Sequence, residues 1–261
     1  MKVIVLSAGQ GKRLLPLTAG LPKCLLTIQG KTIIEWQIDE LIKCGIQRIT
    51  VVTGYRAEKV EDLLCRRYGP EKVKTLYNEV YAKTDNLVSC WAARDEMTED
   101  FILLNGDTLF EAAVLKCLLE SSACPVTVVV SHKNDYDADD MKVEMEDCRL
   151  VKIGKNIPQD EIHGESIGMI LFRGEGPRLF CNALKKALGD SGADRKWYLS
   201  VIDEMARRMP VWTCSVNGLH WCEVDYPVDL KHAESVVTAC TRNGGFNSGT
   251  ESCQSQEMSL I

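Results

Sequence analysis

Val3-Ile4-Val5-Leu6-Ser7-Ala8-Gly9-Gln10-Gly11-Lys12-Arg13-Leu14-Leu15-Pro16-Leu17-Thr18-Ala19-Gly20-Leu21-Pro22-Lys23-Cys24-Leu25 is the stretch on which the reading of this chain turns. Val3 to Ser7 is a β-rich apolar run with the length of a buried parallel strand. Ala8, Gly9 and Gly11 then leave little but backbone facing whatever binds next, and small residues let amide N–H groups come close to an anion. Arg13 follows two residues after Gly11 and Lys23 ten residues after Arg13, so two cations lie near one phosphate-sized space without being neighbours on a helix. A strand that runs into such a loop suits polyphosphate chemistry. Two commoner phosphate loops are excluded. A Walker loop needs Ser or Thr after Gly-Lys, where Arg13 follows Gly11-Lys12, and the dinucleotide fingerprint needs a third glycine where Leu14 stands.

Outward from this loop, Thr32 can cap a helix whose Ile33, Ile34, Trp36, Ile38, Leu41 and Ile42 cover one side and which Gly45 ends. Residues 49–53 read as a strand, 57–68 as a helix, 73–77 as extended and 86–94 as helical. A short apolar strand, 101–104, ends in Asn105-Gly106-Asp107. This alternation predicts an α/β fold: a doubly wound, mostly parallel Rossmann-like sheet with its ligand site at the carboxyl ends of the strands. In the second half, 126–131 and 167–172 read as strands. Residues 143–145 and 150–153 read as a small antiparallel extension that covers the substrate. Helices are expected at 177–188, 197–209 and 227–240, with an edge strand at 211–216. Residues 1–240 are expected to form the domain. From Thr241 the composition shifts to Asn, Gly, Ser, Gln and Glu, which predicts a flexible tail over 241–261.

With 261 residues, 45% of them hydrophobic, the chain can bury a sizeable core. A net charge of −6 argues against a nucleic-acid partner. No apolar run reaches the length of a membrane span, and the strand begins directly after Lys2, so a cytoplasmic protein is expected. Twelve cysteines without Cys-x-x-Cys spacing read as reduced thiols packing as small hydrophobes. The four histidines have no metal-ligand spacing with them. Oligomeric state is not written in the sequence.

The ordered string Leu6-Ser7-Ala8-Gly9-x-Gly11-x-Arg13-Leu14-x-Pro16-x-Thr18-x-x-x-Pro22-Lys23-x-Leu25 resembles the signature of the sugar-nucleotidyltransferase superfamily. The resemblance implies that Leu6, Ala8, Gly9, Gly11, Lys12 and Arg13 wrap a triphosphate. Arg13 would neutralise the departing diphosphate, and Lys23 would meet the incoming phosphate. Asp107 and Asp225 match the superfamily's two metal-binding aspartates in order, which implies Mg²⁺. Asp107 also suits a strand-end turn, and Asp225 a helix N-cap before Pro227. The stretch Tyr77 to Cys90 is similar to the Thr-Asn-Asn-x-x-Ser segment of the branch that includes phosphocholine and phosphonate cytidylyltransferases, with Asp85 in place of the first asparagine. Tyr81, Thr84, Asn86 and Ser89 would then lie beside base and ribose.

For the acceptor, the same resemblance points to Lys142 and Lys155 for the phosphate or phosphonate and to Glu165 for the ribose or acceptor. Trp197, Tyr198, Trp221 and Glu223 would form an aromatic and acidic set for an ammonium end. The lysines equally suit solvated strand ends, and aromatics at a helix start equally suit core anchors. Asp139 and Asp140 read as members of a solvated turn. The expected activity is Mg²⁺-dependent transfer of CMP from CTP to a small acceptor of phosphocholine or 2-aminoethylphosphonate type, releasing diphosphate. A sugar-1-phosphate enzyme using UTP or dTTP, and a non-catalytic nucleotide-sensing domain, are the alternatives.

Overall fold

The computed structural model describes residues 1–242. Expectations for the tail beyond that point lie outside the described residues. The strands are β1 (Lys2–Leu6), β2 (Thr27–Ile28), β3 (Lys31–Thr32), β4 (Arg48–Thr53), β5 (Val73–Tyr77), β6 (Phe101–Asn105), β7 (Thr108–Phe110), β8 (Val126–Ser131), β9 (Lys142–Glu146), β10 (Arg149–Gly154), β11 (Gly164–Phe172), β12 (Trp212–Ser215) and β13 (Trp221–Glu223). The helices are α1 (Ile33–Lys43), α2 (Ala57–Tyr68), α3 (Asn86–Ala92), α4 (Ala112–Glu120), α5 (Gly176–Leu188), α6 (Tyr198–Ala206) and α7 (Asp229–Arg242).

Nine strands form one sheet in the order β5-β4-β1-β6-β11-β8-β12-β10-β9. Its first four are parallel, as alternating strands and helices require. Beyond β6 the sheet is mixed. β11 runs antiparallel to both β6 and β8, β12 is parallel to β8, and β9 and β10 form the expected antiparallel hairpin. β12, expected at an edge, is flanked on both sides: it pairs along its length with β8, and Trp212 bridges to Arg149 of β10.

Val3, Val5, Ile102 and Leu104 pack toward α1, α2 and α4, while Ile4, Phe101 and Leu103 face the α3, α5 and α6 side, so both faces of the central strands are covered. Stacked Phe101, Phe172 and Phe180 anchor the latter layer. Helix α1 starts at the predicted cap. Thr32 Oγ1 accepts from the Glu35 N–H at 3.3 Å and the Glu35 carboxylate accepts from the Thr32 N–H at 2.9 Å, a reciprocal pair that satisfies two otherwise orphaned donors. A two-stranded ribbon, β7 with β13, stands apart from the main sheet and pairs Thr108 with Glu223 and Phe110 with Trp221. This ribbon joins the two halves of the site. Among the described residues no helix is long and apolar enough to cross a membrane, and none of the described cysteines forms a disulfide.

Candidate functional site

Two pockets open beside the carboxyl ends of the parallel strands, linked by one lysine that lines the first and pairs with a carboxylate of the second. The first, about 260 Å³, is lined by the end of β1 (Leu6, Ser7, Ala8), by Gly9 and Gly11, by Lys23 and Cys24, by Tyr81, Thr84, Asp85, Asn86 and Ser89, and by Asn105, Gly106 and Asp107. Space is left for a ligand by backbone shape. At Gly9 a Cβ would meet nothing within 4 Å, whereas at Gly11, whose φ is +74°, it would lie 2.8 Å from Lys23 Cβ. At Gly106 a Cβ would be 2.5 Å from Leu6 O, so strands β1 and β6 deliver their ends side by side only because that residue has no side chain. Asn78 supports the far wall, donating to Ser89 Oγ at 2.9 Å.

Lys23 is half-buried between two carboxylates. Its Nζ donates to Asp107 Oδ2 at 2.8 Å and to Asp225 Oδ1 at 2.5 Å. Burial works to lower the Lys23 pKa, but the attraction of Asp107 and Asp225 outweighs it and holds the ammonium charged. The 118-residue separation of these aspartates in sequence is closed by the β7–β13 ribbon, after which the Val224 N–H donates to Asp107 O at 3.2 Å. Asp229, at the start of α7, accepts from the N–H groups of Asp225 and Tyr226 at 2.8 and 2.7 Å, so the helix start fixes the turn that carries Asp225.

The second pocket, about 340 Å³, lies on the other side of Asp225. Asp137, Asp139, Asp140, Glu165, Glu223, Asp225 and Asp229 face it against one lining lysine, Lys133, with Trp221 and Tyr226 as aromatic walls. Burial pushes the Glu165 carboxyl up to about 7, although Lys133 pairs with it at 2.9 Å. Burial, together with Asp107 and Asp225, pushes Glu223 well above the usual carboxylate range. Such a lining disfavours anions at that end and favours a cation. The pockets are also segregated along the chain. The first is built from residues 6–107, the second from residues 131–232.

A phosphate-sized loop, a lysine between two aspartates and a second pocket beyond them are what nucleotidyl transfer between two substrates needs, and the sequence comparison decides the family. The MobA-like NTP transferase domain matches residues 3–205. The chain belongs to this family. Choline-phosphate cytidylyltransferase of Streptococcus pneumoniae is 30% identical over 158 residues, 58% of this chain and 67% of its own length. CTP:phosphoglutamine cytidylyltransferase of Campylobacter jejuni is 27% identical over 257 residues, 88% of this chain and 98% of its own. The chain spans about half the length of a bifunctional IPC transferase and DIPP synthase of Aquifex aeolicus, at 53%, to which it is 25% identical over 92% of its own residues. The fold is shared with the inositol-1-phosphate CTP transferase from T. maritima, with a TM-score of 0.79 at 22% identity over 92% of this chain and 96% of that one.

Within this NTP transferase domain, Leu6, Ala8, Gly9, Gly11, Lys23, Tyr81, Thr84, Asn86, Ser89 and Asp107 converge on the first pocket. Glu165, Trp221, Glu223 and Asp225 converge on the second. Other predicted positions are not where the sequence suggested. Lys12 and Arg13 are exposed and line neither pocket. Lys142 is buried, and its Nζ donates to the carbonyls of Asp137 and Lys155, so it pins a loop instead of reaching a ligand. Tyr198 is fully buried, with its O–H donating to Asn105 Oδ1 at 2.8 Å, so no ring face is offered to an ammonium. Trp197 is the N-cap residue before α6. Its indole N–H donates to Asp85 at 3.1 Å and Lys155 Nζ lies 4.5 Å from its ring centroid, so Trp197 and Lys155 engage each other and not the second pocket.

Sequence reasoning passed over Gln37, buried on α1, whose Nε2 donates to the carbonyls of Asn105 and Thr108 at 2.7 and 2.8 Å and so holds the backbone on both sides of Asp107. Its position on the apolar face of α1 was the available signal. Lys133, His132, Tyr226, Asp229 and His232 were also missed, and nothing local in the sequence marks them. A divalent cation fits the residues present. Asp107 Oδ1 is buried with no hydrogen-bond partner, and the partner of its other oxygen is the ammonium shared with Asp225. An ion that prefers oxygen ligands would be held by Asp107 and Asp225.

Proposed function

We propose that this NTP transferase is a Mg²⁺-dependent cytidylyltransferase that moves CMP from CTP to a small phosphate or phosphonate acceptor with a cationic end, of phosphocholine or 2-aminoethylphosphonate type. The observation that carries the proposal is that Lys23 pairs at once with Asp107 of the first pocket and Asp225 of the second. The choice of CTP is supported by two relatives named as cytidylyltransferases. The cationic end is supported by the acidic lining of the second pocket, with Trp221 and Tyr226 for an ammonium face.

In this reading the acceptor's anionic oxygen attacks the α-phosphorus, a P–O bond forms, and the bond to the bridging oxygen breaks as diphosphate leaves. A phosphate or phosphonate oxygen is nucleophilic at neutral pH, so no covalent intermediate is needed. The backbone of Ala8, Gly9 and Gly11 faces the triphosphate. Lys23, at the junction, draws the acceptor anion toward the α-phosphorus and offsets the charge of two anions brought together. Mg²⁺, when bound by Asp107 and Asp225, supplies charge neutralisation on the triphosphate and the departing diphosphate. Glu223 and Glu165 face the organic end of the acceptor. Purified protein with Mg²⁺, each of the four NTPs and a panel of phosphocholine, 2-aminoethylphosphonate and sugar 1-phosphates is assayed for diphosphate release. CTP with an amine-bearing acceptor is expected to turn over fastest, and no release from any CTP pairing refutes the proposal.

A further inference from the structure

Arg13 belongs to the glycine loop in sequence but not to its pocket in space. Its Nη2 donates to Asp139 Oδ1 at 3.1 Å, its Nη1 lies 3.5 Å from Asp225 Oδ2, and its guanidinium is 5.3 Å from the Tyr226 ring centroid. All three partners line the second pocket. Asp139 is the hub of this arrangement. The oxygen that receives Arg13 also accepts from Lys155 Nζ at 2.9 Å, and the other accepts from the Tyr226 O–H at 2.7 Å. Lys155 continues the chain of contacts through Trp197 to Asp85, a wall of the first pocket. The loop that presents Asp139 is itself ordered. Asp137 Oδ1 accepts from the N–H groups of Asp139 and Asp140, and Lys142 binds the Asp137 carbonyl from β9.

We propose that Asp139 is a positioning residue that holds Arg13 against the second pocket until a triphosphate draws the guanidinium away, so that nucleotide binding and the clearing of the acceptor side are one event. The inference rests on reading the glycine loop as a triphosphate cradle. A guanidinium fork fits phosphate oxygens at least as well as a carboxylate, so the exchange is between comparable partners. The Arg13–Asp139 pair is half-exposed, with side chains 45% and 36% accessible, so it gives way without a large barrier. Asp139 keeps Lys155 and Tyr226 after Arg13 leaves, and therefore no buried or unpartnered carboxylate is left behind. What Arg13 vacates is the side of Asp225 and the face of Tyr226 that the acceptor needs.

The consequence is that Asp139 competes with the nucleotide for Arg13. CTP dissociation constants, measured by calorimetry without acceptor, test this in wild type, Asp139→Asn, Arg13→Ala and the double variant. Asp139→Asn is expected to tighten CTP binding by between about 1.5-fold and fivefold, the range of an exposed ion pair, and to have no effect in the Arg13→Ala background. Asp139→Glu is expected to keep the wild-type value. Asp135→Asn, which removes a charge from an exposed site on the same loop, is expected to leave it unchanged. Unchanged or weaker binding in Asp139→Asn, or equal tightening with Arg13 absent or in Asp135→Asn, overturns the proposal. Should Asp139→Asn fail to fold, Asp139→Ser carries the same cycle. A wild-type protein that binds no nucleoside triphosphate overturns the functional reading together with this one, whereas binding and turnover without the predicted cycle overturn this one alone.

Discussion

Glu165 is a residue whose environment alters its chemistry. Its carboxyl is raised from 4.5 to about 7 by burial. The native state therefore binds a proton that the unfolded chain releases, and this contribution to stability is present below pH 4.5 and lost as pH rises through about 7. Urea unfolding of wild type and Glu165→Gln across pH 4.5 to 7 should differ by roughly 3 kcal/mol in the change of stability over that window, with the wild type falling more steeply. Parallel curves would show that Glu165 titrates normally. Tyr198 poses a simpler question. Tyr198→Phe removes one hydrogen bond to Asn105 and should cost about 1 kcal/mol of stability while leaving the KM for the acceptor unchanged; a rise in acceptor KM would put the hydroxyl at the acceptor site. Both residues show what a local pattern can hold. Glu165 could be picked out as a site acid, but the direction in which an aromatic at a helix start points is decided by the packing of α3 against α6, where Asn86 Oδ1 accepts from the Tyr198 N–H. That contact is absent from any local string.

At the scale of elements, α1 does more than cover the sheet. Gln37 reaches from it to the backbone on either side of Asp107, so Gln37→Leu, close in size, leaves two carbonyls without their donor. The variant should lose about 2 to 4 kcal/mol of stability, and kcat should fall more than KM changes; wild-type kcat in a destabilised protein would separate the helix from the site. The parallel half was readable because β1 and β6 each carry four consecutive apolar residues and helices α1, α2 and α3 alternate with its strands. The ribbon of β7 and β13 was not, since three-residue strands are too short to display alternation. Yet it is the ribbon that brings Asp225 to Asp107, so the pairing of the two aspartates could be inferred from their order in a family signature but not from local pattern. Helix α4, with Val114, Leu115 and Leu118 its buried positions over nine residues, was also overlooked.

For the molecule as a whole, the self-contained charge at the junction makes ligand binding a matter of exchange. Lys23 already pairs with one oxygen of Asp107, so triphosphate alone must separate them, whereas triphosphate with Mg²⁺ replaces both partners at once. CTP at a hundredfold excess over its dissociation constant, with Mg²⁺, should raise the melting temperature by about 5 to 10 °C, and the same CTP with a chelator should raise it less. Equal shifts would show that the aspartates do not need a cation to receive the nucleotide. The walls of the first pocket were nearly all visible in the sequence because they fall in four short strings. Those of the second come from five separated segments whose neighbours are set by sheet order.

That difference has an inheritance of its own. The first pocket is complete by residue 107, while the second is assembled from residues 131–232. A lineage can therefore exchange or erode the later segments, and so retarget the molecule to new small partners, while the earlier stretch descends with little alteration. A nascent chain, likewise, has every wall of the first pocket long before the ribosome has delivered Asp225.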